Sequence, residues 1–259
     1  MWKKMNSGES YKLYDICVIT AANDCQARGY QEQLKWREYK GDLPKQTVFF
    51  VFADPQGKRI GSGGGTIYVL YKLLEHFCHT DNGKHQSPHE LFKGKRILIL
   101  HSGGDSRRLP AYSAVGKTFI PLPASFSPAL EPFALLKGKL REGTDGFVTL
   151  FDLLFNNLMQ LPYLSDGQVI VASGDVLLSF DASKVVFSVS GVTGLAYPGP
   201  VEVASNHGVY IVPQTQSGEN LREVVDFLQK PTYDELKACN GLDTANRAFI
   251  DTGVMNFSL

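Results

Sequence analysis

A chain of 259 residues is long enough for one large α/β domain and needs no disulfide or metal staple to fold. Its 26 basic and 26 acidic residues cancel to zero net charge, so the basic excess that carries binding to duplex nucleic acid or anionic lipid is missing. Apolar residues make up 43% and charged residues 20%, ordinary globular proportions that speak against disorder.

The N-terminal stretch MWKKMNSGESYKLYD has lysines but no apolar core, so it does not read as a signal peptide. The first strand is expected at Ile16 to Ala22, a continuous apolar run, followed by a mostly polar helix over Cys25 to Lys40. A second buried strand covers Thr47 to Ala53. A glycine-rich segment, Gly57 to Thr66, leads into a helix over Thr66 to His76 with Ile67, Val69, Leu70, Leu73 and Leu74 at helical spacing. A polar loop (Thr80 to Pro88) precedes the strand Ile97 to Leu100 and a second glycine-rich segment, His101 to Pro110.

The long polar stretch Pro121 to Gly146 has the length of a lid, a binding loop or a partly mobile segment. An apolar helix is expected at Thr149 to Leu161, a strand at Val169 to Ala172, and an added β layer within Val185 to Val212. Continuous rather than alternating apolarity marks strands covered on both faces, and their alternation with helices predicts α/β with a mixed, mainly parallel central sheet. The final residues, Phe249 to Leu259, are strand-like, and the chain reads as a single catalytic core over 1–259, truncated at its C-terminus. No stretch approaches the ~18 apolar residues of a membrane helix. Cys17, Cys25, Cys78 and Cys239 lack the spacing of a disulfide scaffold. A soluble, cytoplasmic protein with no nucleic-acid or membrane partner is expected.

The two glycine-rich segments carry the strongest chemical signal. Glycine lets backbone N–H groups close on an anion, and a helix opening there adds its dipole. Gly61, Ser62, Gly63, Gly64, Gly65 and Thr66 in the first segment, and Gly103, Gly104, Asp105 and Ser106 in the second, are therefore candidate phosphate binders. Gly116-Lys117-Thr118 is not a P-loop, because that motif needs glycine five positions earlier and Ala111 stands there. Lys117 can still grip phosphate as a point charge. Asp175 follows the strand Val169 to Ala172, at the end where α/β sheets hold their ligands. His76, Cys78, His79, His85 and His89 cluster in sequence, but with one thiol they read as a solvated helix end and loop rather than a zinc site.

Leu100-His-Ser-Gly-Gly-Asp-Ser-Arg-Arg-Leu-Pro110 followed by Gly116-Lys117 resembles the L-x-G-G-x-x-x-R-L…PK signature of sugar-phosphate nucleotidyltransferases. The separate KRIGSGGGT, with YDICVITAAN, ASGDVLLSFD, ASNHGVYIV, FLQKPTYDEL and IDTGV in order, is similar to the fucose-1-phosphate guanylyltransferase branch. The resemblance implies a three-layer, GT-A-like (Rossmann-like) fold and Mg²⁺-dependent transfer of GMP from GTP to L-fucose-1-phosphate. It implies that Arg108 and Lys117 meet the phosphates, that Asp175 holds Mg²⁺ and that Lys230 holds the sugar phosphate. Asn206, His207, Gly208 and Asp251 then become candidates for the sugar side. Choice of guanine rests on the resemblance alone, with Asp24 a candidate reader.

In the resembling enzymes a second metal-binding aspartate follows the last segment, which lies past Leu259. A sugar kinase domain can accompany this domain in the parent chain, although no kinase glycine loop is visible here. Alternatives are another sugar-1-phosphate or UTP as substrate, or a nucleotide-sugar sensor that binds without releasing pyrophosphate.

Overall fold

A computed structural model describes residues 12–80, 87–102, 104, 110–112, 116–122, 148–213 and 220–259. Each continuous apolar run of the first two-thirds becomes a strand: β1 (Ile16–Ala21), β2 (Val48–Ala53), β3 (Arg96–His101) and β4 (Gln168–Ser173). These four pair in parallel in the order β2-β1-β3-β4. β1 is buried along its whole length, whereas β2, at the sheet edge, is only half covered.

Helix α1 (Asp24–Lys40) starts at Asn23, whose side chain accepts from the Gln26 N–H, and stops at Gly41 in the left-handed region. It packs Ala27, Tyr30 and Leu34 onto one face of the sheet, beside α4 (Leu150–Met159). The opposite face is covered by α2 (Gly61–Thr80) and α3 (Pro88–Phe92) through Val69, Leu73 and Phe92. The result is the expected three-layer α/β arrangement.

Arg37 of α1 is 2% exposed and binds the Asp152 carboxylate of α4 through Nε at 2.8 Å and Nη2 at 3.0 Å. Nη2 also donates to Thr149 at 2.9 Å. At the amino end of β3 the wholly buried Arg96 donates to the Leu161 carbonyl just past α4, so the end of the sheet opposite the site is closed by protein.

The C-terminal third departs from expectation. β5 (Val192–Pro200), the one-turn α5 (Val201–Ala204), β6 (Gly208–Ile211), β7 (Asp226–Gln229), α6 (Tyr233–Ala238) and β8 (Arg247–Ser258) follow in order. These strands extend the central sheet rather than adding a layer, because the long β8 runs antiparallel beside β4 and offers both its edges. β5 pairs with β8 along its length, from Val192↔Phe257 to Pro200↔Arg247. β6 pairs with Ile250 and Phe249, and β7 with β6. The pairings leave six of the eight strands pointing one way, with β7 and β8 opposed.

Because β5 fills one edge of β8, β4 and β6 share the other, end to end. Between them that edge is open at Asp251, Thr252 and Gly253. The sheet thus has a notch directly beyond the carboxyl end of β4.

Candidate active site

From β1 the chain crosses to β2 on one side, and from β3 it continues to β4 on the other. Connections that part in this way open a crevice at the carboxyl ends of β1 and β3, the place where such sheets hold ligands. Both glycine-rich segments reach it. The first is not a loop before a helix but the opening turns of α2, which starts at Gly61 instead of Thr66. Glycine is tolerated inside this helix because the turn lies against β3: a Cβ on Gly65 would stand 3.2 Å from His101 Cε1. Thr66 Oγ1 lies 2.8 Å from His101 Nε2, and Thr20 Oγ1 3.4 Å from Nδ1. Burial holds the imidazole below its ordinary pKa, so His101 is a neutral link between α2, β1 and β3.

Of the second segment, Gly104 is held through its carbonyl by the Gln26 amide of α1 at 3.4 Å. Gly103, Asp105, Ser106 and Arg108 lie outside the described residues, as does most of the stretch Pro121 to Gly146. Lys117 opens a single 3₁₀ turn, Lys117–Phe119, not the α-helix a P-loop would need. Its Nζ donates to Asp175 Oδ2 at 2.8 Å, while Ser173 Oγ donates to Oδ1 at 2.8 Å. Burial pushes the Asp175 carboxyl up, but the hydrogen bonds from Lys117 and Ser173 outweigh it and hold it below the usual aspartate value. The Asp175 carboxyl is therefore ionised, and the pair is partly exposed, open to an incoming charged ligand.

Beneath this pair runs a chain of hydroxyls. Tyr30 lies 2.9 Å from Ser102 Oγ, which bonds Thr118 Oγ1, which donates to the Gly174 carbonyl at 2.7 Å. Gly174 N–H in turn donates to the His101 carbonyl at 2.8 Å. All these hydroxyls are satisfied when donors run from Tyr30 to Ser102 to Thr118 to Gly174. Gly116 (φ +63°) lets the backbone close over Tyr30 before Lys117; a Cβ there would fall 1.7 Å from the phenol oxygen. Lys117 and Asp175, 58 residues apart in sequence, are thus seated on one rigid base.

Across the notch, Asp251 Oδ1 accepts from the Tyr210 hydroxyl at 3.0 Å and the Gly253 N–H at 2.8 Å. A Cβ on Gly253 would lie 3.2 Å from Ser173 Cβ, so β8 passes close against the end of β4 there. On the β6 side, the Lys230 N–H donates to the His207 carbonyl at 2.8 Å, and Lys230 adopts φ +53°. Gly208 leaves room for the Phe227 ring, so its smallness serves packing. The exposed Asn206 donates its amide to the Glu202 carbonyl at 3.2 Å and helps close α5. The fold brings Lys117 together with Asp175, the α2 glycines with the β3 exit, and His207 with Lys230.

A model of the fucose pyrophosphorylase domain matches residues 89–259. The chain belongs to the fucose pyrophosphorylase family. It is 32% identical to a bifunctional fucokinase/GDP-fucose pyrophosphorylase of Arabidopsis thaliana, over 94% of this chain and 23% of that protein. It is 30% identical to a fucose-1-phosphate guanylyltransferase of Mus musculus, over 93% of this chain and 36% of that one. An L-fucokinase/L-fucose-1-P guanylyltransferase of Bacteroides fragilis is 29% identical over 81% of this chain and 20% of its own length. The chain therefore spans about a fifth to a third of these curated relatives. No solved structure matches it. Its mixed α/β architecture is consistent with a nucleotidyltransferase-like fold.

Within the stretch matched by the fucose pyrophosphorylase domain lie Lys117, Asp175, Lys230 and Asp251, whereas α1 and the α2 glycines precede it. Tyr30, His101, Ser102, Thr118, Ser173 and Tyr210 support the site without any sequence signal of their own. His101, Ser102, Thr118, Ser173 and Tyr210 sit inside the motifs named above, and only that adjacency could have flagged them. His76 packs edge-on against Phe50 and Phe77, and among the described residues no group of three or more potential ligands could hold a metal.

Proposed function

We propose that this chain carries the transfer site at which GMP passes from GTP to L-fucose-1-phosphate, yielding GDP-L-fucose and pyrophosphate. The observation that carries the reading is the Lys117–Asp175 ion pair just past the carboxyl end of β4, beside a notch containing Asp251. The relatives' names supply the sugar and the nucleotide class.

An oxygen of the sugar phosphate attacks the α-phosphorus of GTP, and the bond to the bridging oxygen of pyrophosphate breaks. No side chain needs to become covalently bound, so the protein's work is alignment and charge neutralisation. Lys117 turns its ammonium from Asp175 to the phosphates, and Arg108 adds a planar fork suited to their oxygens. N–H groups at the start of α2 face the same phosphates. Asp251, held by Tyr210, receives sugar hydroxyls, and Lys230 balances the sugar phosphate.

Asp175 fits a Mg²⁺ role in the manner usual for this ion, one carboxylate completed by water and substrate phosphates rather than an all-protein cage. The hard oxygens of Asp175, half-exposed and steadied by Ser173, meet that requirement, and the ion would supply charge neutralisation at the phosphates. Two relatives named as fucokinase fusions support a sugar kinase domain as a neighbour in a longer parent chain. Four free cysteines support a reducing, cytoplasmic setting, and among the described residues no helix is long and apolar enough to cross a membrane.

The test is pyrophosphate release with Mg²⁺, comparing fucose-1-phosphate against mannose- and glucose-1-phosphate, and GTP against UTP and ATP. Release confined to fucose-1-phosphate with GTP is expected. Equal release with glucose-1-phosphate and UTP would overturn the assignment.

A further inference from the structure

A cleft of about 440 Å³ opens beside the crevice described above, between α1 and the turn that joins β2 to α2. From α1 it is lined by Asp24, Ala27, Arg28 and Gln31, one stripe at helical spacing. From the other side come the end of β2, Asp54, Gln56 and Tyr68. Its size is that of a small-molecule pocket, and its lining is mainly polar, with charged groups of both signs.

Its position ties it to the phosphate segments. The first turn of α1 that presents Asp24 and Arg28 to the cleft also sends Gln26 to the Gly104 carbonyl. The α2 helix that presents Tyr68 is the one whose opening glycines meet His101. The cleft therefore adjoins elements that carry both glycine-rich segments, where the proposed phosphates would lie.

Asp54 is delivered by a fixed turn, its N–H donating to the Ala21 carbonyl at 2.8 Å and its carbonyl accepting from Gly57 at 3.0 Å. Its side chain makes no capping bond to that turn. Burial raises its pKa, partly offset by Arg59, as for a carboxylate in a partly dried cleft.

We propose that this cleft is the guanine pocket of the nucleotide site, with Asp54 accepting from the base N1–H and 2-amino groups and Arg28 donating to O6 and N7. The proposal rests on the GTP-using reading and adds to it the residues that select the base. A carboxylate matches guanine's two adjacent donors, and an arginine its two acceptors. Adenine lacks the 2-amino group and presents a donor where guanine has O6, so it would set its own amine against Arg28. Asp24 faces the cleft from a more exposed position, so the half-buried Asp54 is the reader named here.

The test is calorimetric binding of GTP, inosine triphosphate (guanine without its 2-amino group) and ATP to the wild type and to Asp54→Asn, Arg28→Gln and Asp24→Asn, with thermal melts to verify folding. Asp54→Asn is expected to weaken GTP by about 10-fold to 100-fold, the range of one bidentate base contact, and to weaken inosine triphosphate, which keeps N1–H but has no 2-amino group, by a smaller factor. Arg28→Gln should weaken both alike, since they share O6 and N7, and spare ATP. Unchanged GTP affinity and selectivity in folded Asp54→Asn and Arg28→Gln would overturn the pocket. An effect seen only in Asp24→Asn would overturn Asp54 as reader, and failure of the wild type to bind GTP would overturn the proposal outright. Pyrophosphate release measured on the same proteins separates the two readings. Lost guanine preference in Asp54→Asn without any transfer to fucose-1-phosphate in the wild type would count against the sugar alone. Normal transfer with unaltered base preference would count against the cleft alone.

Discussion

Replacing Lys117 by alanine separates a catalytic role from a structural one, because the two predict effects of very different size. The Lys117 and Asp175 side chains are 29% and 42% exposed, so solvent screens their 2.8 Å contact. A pair of this kind contributes about 0–1 kcal/mol to stability. In a chain of this length 1 kcal/mol moves the melting temperature by about 2–4 °C, so Lys117→Ala should melt within that range of the wild type. Loss of a cation aimed at transition-state charge should instead cost about 10²–10³-fold in turnover, or roughly 3–4 kcal/mol. The carboxyl of Asp175 should then rise toward its ordinary value, because burial remains while the hydrogen bond and charge that lower it are gone. The acid limb of pyrophosphate release should shift to higher pH, and Lys117→Arg should reverse that shift while restoring only part of the rate. Pyrophosphate release across pH and a melting curve are the two assays. A loss of turnover below threefold, or a melting point lowered by more than about 8 °C, would refute the reasoning.

Asp175→Asn should abolish Mg²⁺-dependent pyrophosphate release with little change in melting temperature, and a collapse of folding would instead mark Asp175 as structural. Arg37→Met strands the Asp152 carboxylate beside α1 and should cost about 3 kcal/mol by denaturant unfolding, much of it recovered in Arg37→Met/Asp152→Leu; a loss below about 1 kcal/mol would contradict the buried pair. His101 has a folded pKa below its unfolded value, so the unfolded chain takes up the proton first. The stability it contributes is complete above about pH 6.5 and declines as the pH falls toward the folded value, and His101→Gln should flatten that part of the melting profile between pH 7 and 5. Gly174→Ala would put a Cβ 2.7 Å from Thr118 Oγ1 and 3.0 Å from the His101 carbonyl. It should cost about 1–3 kcal/mol by melting and a larger share of turnover, since Asp175 is the next residue; a neutral effect on both would dispose of the close packing.

Strands β1 to β4 were legible in the sequence because a strand covered on both faces must be apolar at every position, a pattern that needs no knowledge of its partners. The buried face of α2 was legible for a related reason, since Val69 and Leu73 meet the sheet at helical spacing. Lys117 and Asp175 could be picked out because the motif around each is local. Sequence alone misplaced the start of α2: glycine runs disfavour helix unless something needs close approach, and that something is His101, a residue of a different strand. It also cast the strands after Val185 as a separate layer, since nothing local reveals that β8 carries β5 on one edge and both β4 and β6 on the other. The hydroxyl chain from Tyr30 to Gly174 has no sequence pattern because its members come from α1, the β3 exit, the Lys117 turn and the β4 exit. A local run of side chains determines which faces are apolar and where the backbone can bend. Which distant polar groups satisfy one another is decided only when the sheet order sets those segments side by side, and that order arises from burial of the whole core rather than from any single stretch.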